Sequence, residues 1–445
     1  MALNTAAHPY LLLIFLLTFC PVENTWAKQE ERLTAEDSDP RVLKWMMGSP
    51  PPEDKLIMQP QSNYFGFPKL RWSVCHIREL LPTKQVSRGL GNPHPFKYEI
   101  DPGIDSIQFR TPNENKEMSW RESLSANYTD GILILHRDKV VYEEYFGCLN
   151  ELGKHAAMSM TKSITGLLAE ILIAEGKLDD TKLVSSVVPE LTASAFGSAT
   201  VRQVMDMTTA LNYSEDYSNP EADIWRYSKA ASPLPKNIGY SGPDGYYQYL
   251  QTVNKSGEHG HAFGYKTINT DALGWIISRI SQRSISDLLS EKIWRRIGAE
   301  QDAYMTVDGR GVPFAGGGLS ASLRDLARLG LLMLNKGVIN GERIFSESVV
   351  EQIIRGGDKA AFAKAGYSSL NGGSYRSMWW VLHNKHNAYT ARGVHGQTIY
   401  IDPTAEMVIV RFASYPEAKN ANIDPTSLPA YQAVAEYLLN KDVQQ

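Results

Sequence analysis

The sequence predicts an α+β fold of the α/β sandwich kind, in which an antiparallel sheet is flanked by helices and its strands enclose an all-helical insertion. Three observations carry the prediction. A β-hairpin reads at 130–147, two more apolar strands read at 393–414, and the residues between, about 159–340, show mostly helical periodicity. Strands at both ends of a chain with helices between them pair most simply as one sheet with a helical insert.

Taken in order, the first 27 residues differ in kind from the rest. Residues 10–20, YLLLIFLLTFC, are an apolar run short for a bilayer span, and Thr25-Trp26-Ala27 offers a small-residue cleavage site before Lys28. Residues 1–27 read as a signal peptide, which implies a secreted or periplasmic protein with no stable membrane span. An uncleaved anchor is the alternative, because MALNTAAHPY lacks Lys and Arg. Residues 28–125 read as an N-terminal arm packed on a catalytic domain at 126–445, whose helical subdomain covers about 165–340. Within the arm, Ser49-Pro50-Pro51-Pro52 excludes helix and central strand, and a short helix reads at 72–81.

The hairpin DGILILHRDKVVYEEYFG turns at Arg137-Asp138-Lys139. Helical periodicity follows at 155–178, 270–280 and 323–334. The stretch 213–264 is a long aromatic loop rich in Pro and Gly; loops of that length shape a binding site or are disordered, and its tyrosines and tryptophans argue for order. Strand signals return at 378–382 and in GVHGQTIYIDPTAEMVIVRFAS, where 402–406 forms a turn. A helix at 428–440 closes the chain.

Composition narrows the function classes. With 43% hydrophobic and 21% charged residues, 445 residues suit an ordinary globular protein with a large core. A net charge of -4 gives no basic field for nucleic acid, and no P-loop or zinc-finger spacing occurs. No cofactor is implied. His259-Gly260-His261 lacks the downstream Asp of a metallo-hydrolase, and His383 and His386 read as solvent-facing, so no metal site is expected. After cleavage only Cys75 and Cys148 remain; they read as buried free thiols, with a single pairing in an oxidising compartment left open. Asn127, Asn212 and Asn254 each head a glycosylation acceptor triplet.

The chemistry centres on HAAMSMTKSITGLLAEILIAEGKL, 155–178. Ser159 and Lys162 sit nearly one turn apart and share a helix face. About one or two S-x-x-K matches are expected by chance in a chain this long, and this chain holds one. Ser159 is therefore either a polar helix start or a nucleophile with its base. A serine needs a base to take its proton, and no G-x-S-x-G elbow is present to supply the α/β-hydrolase route.

The order SMTKS, FGYKTINTDALGW, AGGGLSASLRDLARLG and GVHGQTIYIDP resembles the serine β-lactamase-like hydrolases. Among them it is most similar to the 6-aminohexanoate-oligomer hydrolases, whose tyrosine followed by N-T-D-x-L-G-W stands here at 265–275; WMMGSPPPEDK and RWSVCHIRELLPT also look like that group. The resemblance spans about 40–440. It implies Ser159 as nucleophile, Lys162 as its helix partner and Tyr265 as the tyrosine of the second motif. It places the third motif, usually K-T-G, at Val394-His395-Gly396, with the N–H groups of Ser159 and Gln397 as oxyanion donors and Tyr217 as a substrate-side tyrosine. Lys162 beside Tyr265 is expected to push the phenol toward phenolate, a change of roughly 4 kcal/mol if its pKa is to reach 7. Either residue can then be the base. His395 either lines the cleft or only ties strand to loop. Gly316-Gly317-Gly318 is either a plain loop or a point of close backbone approach beneath the site, and is given no chemistry.

Two departures steer the substrate. Val394 replaces the lysine that would meet a β-lactam carboxylate, and Thr267 offers a hydroxyl where the penicillin-recognising pattern has an amide. Both favour acyl-enzyme hydrolysis of small esters or linear amides over β-lactams, although Lys266 could restore a cation. A β-lactamase, a D-alanyl-D-alanine carboxypeptidase or a non-turnover sensor is the alternative. Oligomeric state is left open.

Overall fold

The computed structural model describes residues 32–444 apart from 59–62, 113, 218 and 237. The expected signal peptide, Cys20 included, lies outside the described residues. Thr34–Gln445 pack as one compact unit.

The strands used below are β1 (Thr83–Val86), β2 (Lys97–Tyr98), β3 (Thr129–His136), β4 (Lys139–Tyr145), β5 (His155–Ala156), β6 (Ala303–Thr306), β7 (Leu319–Ala321), β8 (Ser374–Arg376), β9 (Trp379–Val381), β10 (Tyr389–Gly393), β11 (Gln397–Asp402) and β12 (Met407–Ala413). The helices are α1 (Leu70–Ser73), α2 (Met160–Ala174), α3 (Ile268–Ser281), α4 (Leu323–Leu334) and α5 (Asp424–Gln444). The main sheet has eight strands in the order β8-β9-β10-β11-β12-β3-β4-β2.

Alternation along β3 explains the layers. Ile132 and Ile134 point into one core with Tyr431, Val434 and Leu438 of α5. Leu133 and Leu135 point into the other, which holds Leu326 and Leu329 of α4. Both faces are therefore covered, and every residue of β3, β11 and β12 is buried. Full burial of one such aliphatic side chain is worth about 1.5–3 kcal/mol.

The sheet is antiparallel except at one edge, where β2 of the arm runs parallel to β4. A strand that arrives from a distant segment is not bound by the tight turn that makes hairpin neighbours antiparallel. Another strand of the arm, β1, pairs with β6 in a second sheet, ordered β1-β6-β7-β5. The segment expected to be all helical thus contains β6 and β7, each too short to display period-2 patterning. The expected short helix near 72–81 is two single turns, Leu70–Ser73 and Ile77–Leu80.

Other expectations are corrected by packing. The aromatic stretch 213–264 contains helices Asp223–Ala231 and Tyr246–Leu250, whose Tyr227, Tyr246 and Tyr249 are buried. The last helix begins at Asp424, ahead of Pro425, since proline suits the first turn. His386 is buried with Nδ1 2.7 Å from Asp402, and His383 Nε2 lies 2.8 Å from Ser374 Oγ. Asn127 is buried and its amide donates to the Ser123 carbonyl, whereas Asn212 and Asn254 are exposed. Cys75 and Cys148 are not free thiols: they form a disulfide with Cα atoms 6.0 Å apart. Among the described residues no helix is long and apolar enough to cross a membrane.

Candidate active site

Ser159 stands where β5 gives way to α2. Met158 just before it is left-handed, with φ of 47°, a conformation that costs a non-glycine residue about 1–3 kcal/mol and persists only where packing enforces it. Met158 is held in a cluster with Leu70, Val74, Ile77, Ala156 and Tyr304. Ser159 itself has helical dihedrals and its side chain makes no cap bond. The polar-helix-start reading therefore does not describe the hydroxyl of this partly exposed residue.

The helix behind it is not amphipathic. Every residue from Met160 to Leu172 is buried, as suits a central helix. Its polar side chains are paired: Ser163 donates to the Met378 carbonyl at 2.6 Å, Thr165 to the Ala315 carbonyl at 3.0 Å, and Glu170 meets Arg202 at 2.9 Å.

Lys162 Nζ lies 2.8 Å from Ser159 Oγ and donates to the Gly316 carbonyl at 2.6 Å. Its side chain is buried, and burial pulls its proton affinity well below that of an ordinary lysine; Glu215 and Asp271 oppose that pull. Asp271 is the other half of the balance. Burial pushes its carboxyl toward the neutral form, while the Tyr227 hydroxyl, Lys162 and the Gly316 N–H favour the carboxylate. One peptide unit apart, Gly316 thus serves Lys162 with its carbonyl and Asp271 with its N–H. A Cβ at Gly316 would fall 2.6 Å from Thr267 Cγ2, so the close approach requires glycine.

Ser159 acts on the Tyr265 phenol and opposes the rise in its pKa, and Lys162 Nζ is 5.2 Å from the Tyr265 ring centroid. The ring stacks on Trp380 at 5.3 Å and meets Tyr375 edge-on at 6.1 Å. This apolar packing raises the phenol's pKa, the opposite of the expected drift toward phenolate. Of Lys162 and Tyr265, the one moved toward the form that accepts a proton is Lys162.

Around these three, Glu215 organises the second motif. Its carboxylate accepts from both the N–H and the hydroxyl of Thr267, and from the Tyr217 hydroxyl at 3.0 Å. Thr267 is thereby occupied in orienting the start of α3, and Tyr217 is exposed beside Trp225, with rings 6.1 Å apart. Lys266 turns its ammonium to the Leu211 carbonyl, to which it donates at 2.6 Å. No spacing marks Glu215, whereas Asp271 is the aspartate of the N-T-D-x-L-G-W stretch, whose role only its three-dimensional neighbours reveal.

The third-motif segment adjoins the approach to Ser159 at Gly393. A Cβ there would lie 2.8 Å from the Ala157 carbonyl and 3.0 Å from the Cβ atoms of both Met158 and Gln397. Val394 packs against the Met158 cluster. His395, left-handed at φ 63°, places Nδ1 2.7 Å from the Tyr415 carbonyl and so ties the strand turn to a loop. Gly396 accepts from Arg411 at 3.0 Å, and the buried Gln397 side chain bonds the Ala413 backbone in both directions. Arg392, one residue before Gly393, is paired with Asp424.

Among the described residues, Cys75, Cys148 and His155 bring potential ligand atoms within 4.8 Å of one another. The two sulfurs are bonded to each other, so this trio does not fit a metal ion. His259 caps a turn, with Nδ1 2.9 Å from the Ala210 N–H and Nε2 3.1 Å from Ser198.

The geometry is matched by kinship. The beta-lactamase family model covers residues 129–428. The chain belongs to the beta-lactamase family. This serine hydrolase is 34% identical over 351 residues to the 6-aminohexanoate-dimer hydrolase of Paenarthrobacter ureafaciens, covering 79% of this chain and 86% of that one. A solved structure from Bacillus anthracis that carries the same name provisionally aligns with a TM-score of 0.79 at 31% identity, over 88% of the hydrolase and 99% of that chain. A penicillin-binding protein homolog from Caulobacter crescentus shares the fold at 16% identity and TM-score 0.53, over 71% and 96% of the two chains.

Proposed function

We propose that the hydrolase cleaves linear amides and small esters through an acyl-enzyme on Ser159. The observation that carries this reading is the Lys162–Ser159–Tyr265 cluster, in which a lysine of lowered proton affinity touches the hydroxyl of a partly exposed serine. Lys162 in its neutral form takes the Ser159 proton as Oγ attacks the carbonyl carbon. Tyr265, kept protonated by its apolar packing, donates toward the leaving nitrogen or oxygen, and the proton held by Lys162 replaces the one it gives up. The N–H groups of Ser159 and Gln397 would face the developing oxyanion, where one such donor is typically worth about 3 kcal/mol. Water then attacks the ester with the same groups in reverse roles.

The engagement of the motif segments' own cations elsewhere supports neutral acyl groups over β-lactams. Val394 is packed in an apolar cluster, Lys266 is held by Leu211 and Arg392 by Asp424. The names of the Paenarthrobacter and Bacillus relatives support a linear amide of an amino acid.

The test compares steady-state hydrolysis of p-nitrophenyl butyrate, the 6-aminohexanoate linear dimer and nitrocefin. The reading expects turnover of the first two, lost in Ser159→Ala. Nitrocefin as the fastest substrate, or a single burst with no turnover on all three, contradicts it.

A secreted or periplasmic location belongs to the same proposal. The apolar run at 10–20 and the Cys75–Cys148 disulfide both support it, since disulfides persist in oxidising compartments. A mature N-terminus at Lys28 is the expected result of sequencing the exported protein.

A further inference from the structure

The arm approaches the nucleophile by a covalent route that ends just beyond β4 and a polar route that ends on β5. Cys75 follows α1 and is bonded to Cys148, just beyond β4. One residue back, the Val74 carbonyl accepts from the Ala156 N–H at 2.8 Å, which ties the arm directly to β5. A ring nitrogen of His155 lies within 4.8 Å of the sulfurs. His155 Nε2 is 3.2 Å from Asp130 Oδ2, and Asp130 Oδ1 accepts from Arg71 of α1 at 3.1 Å. All three side chains of this chain are buried. Gly147, beside Cys148, is fitted to it: a Cβ there would sit 2.5 Å from Asp130 Oδ1. Phe412 of the main sheet closes the far side, stacked on His155 at 4.6 Å.

From β5 the backbone runs through the left-handed Met158 into Ser159. The side chains that hold Met158 include Leu70 and Val74 of the arm, with Cys75, Cys148 and Val394 at the cluster's edge. The same cluster thus touches the residue before the nucleophile and the first residue of the third motif. A strained residue between two catalytic segments stays in place only while its packing does.

We infer that the Cys75–Cys148 disulfide, together with the Arg71–Asp130–His155 chain, is a positioning clamp for Ser159, so that acyl transfer depends on the oxidised pair. The inference rests on Ser159 being the nucleophile. Both cysteines are partly exposed, so a small dithiol can reach them. Reduction breaks the S–S bond and adds two electrons and two protons, giving two thiols, while the dithiol closes to its own disulfide. The arm then keeps its hydrogen bonds but loses the link that holds α1 against the end of β4. Small misplacement of a reacting group can cost up to about 100-fold in rate.

The test uses the full chain with dithiothreitol, confirming by iodoacetamide labelling and peptide mapping that Cys75 and Cys148 are both free. p-Nitrophenyl butyrate hydrolysis is expected to lose roughly tenfold or more in kcat, with KM changed less than about twofold, and to recover on reoxidation. His155→Asn in the oxidised protein is expected to show the same kcat-against-KM split with the disulfide intact. Unchanged kcat in fully reduced protein overturns the clamp. So does a loss that tracks the near-ultraviolet circular dichroism signal, which is unfolding and not positioning. Ser159→Ala run in parallel separates the two claims, because turnover there condemns the nucleophile assignment, whereas its loss beside a redox-indifferent kcat condemns the clamp alone.

Discussion

Lys162 Nζ lies 2.8 Å from Ser159 Oγ, and its other hydrogen bond is to the carbonyl of Gly316. No carboxylate forms an ion pair with it within 4.0 Å among the described residues. Glu215 and Asp271 act on it from farther away, and they offset only part of the burial penalty. A lysine held this way loses its proton more readily than an exposed one.

The pH profile of kcat/KM follows from that. Activity is expected to rise with pH as Lys162 deprotonates, with a midpoint well below the ~10.4 of an ordinary lysine. It falls on the alkaline side only as Tyr265 loses its proton, above the ~10 of an ordinary tyrosine, because burial raises that pKa. A profile flat up to ~10 and then rising contradicts the account.

Glu215→Gln moves the acidic limb in a defined direction. Glu215 favours the charged form of Lys162, so removing its charge lowers the lysine pKa and shifts the limb to lower pH. The substitution also weakens the bonds to Thr267 and Tyr217, and KM is expected to rise. A limb displaced to higher pH has the wrong sign.

Tyr265→Phe keeps the ring on Trp380 and removes only the hydroxyl. General acid–base groups contribute roughly 100-fold to 10,000-fold, so kcat is expected to drop within that range with little change in melting temperature. Near-wild-type kcat shows that the phenol has no part in proton transfer.

Gly166→Ala tests the packing of the central helix. A Cβ there would sit 2.0 Å from the Ser377 carbonyl oxygen, which is backbone. Ser377 is further held by Arg202 and Glu170, so it has little room to yield. The substitution is expected to cost at least about 1–3 kcal/mol, read as a lower denaturation midpoint in urea. An unchanged midpoint means the helix is less tightly seated than described.

Which of these features could be read from the sequence depends on how local their signal is. The helix at Leu323–Leu334 was legible because its periodicity is contiguous, and the structure repeats those bounds. The hairpin at 130–147 was legible for the same reason. Ser159 and Lys162 lie three residues apart, so helix geometry alone brings them together. The disulfide was not legible: Cys75 and Cys148 are 73 residues apart, with no spacing rule between them. Asp271 and Glu215 reach Lys162 only through the packing of α3 and the 213–264 stretch. Tyr265 was misread because proximity to a cation was expected to outweigh burial, and the Trp380 and Tyr375 rings around it reverse that balance.

The most direct measurement is the site of covalent labelling. The hydrolase is treated with a fluorophosphonate, digested, and the modified peptide sequenced by tandem mass spectrometry. The account predicts one adduct per chain, on Ser159, absent from Ser159→Ala and slowed in Lys162→Ala. A stoichiometric adduct on any other residue, or one that persists in Ser159→Ala, contradicts it.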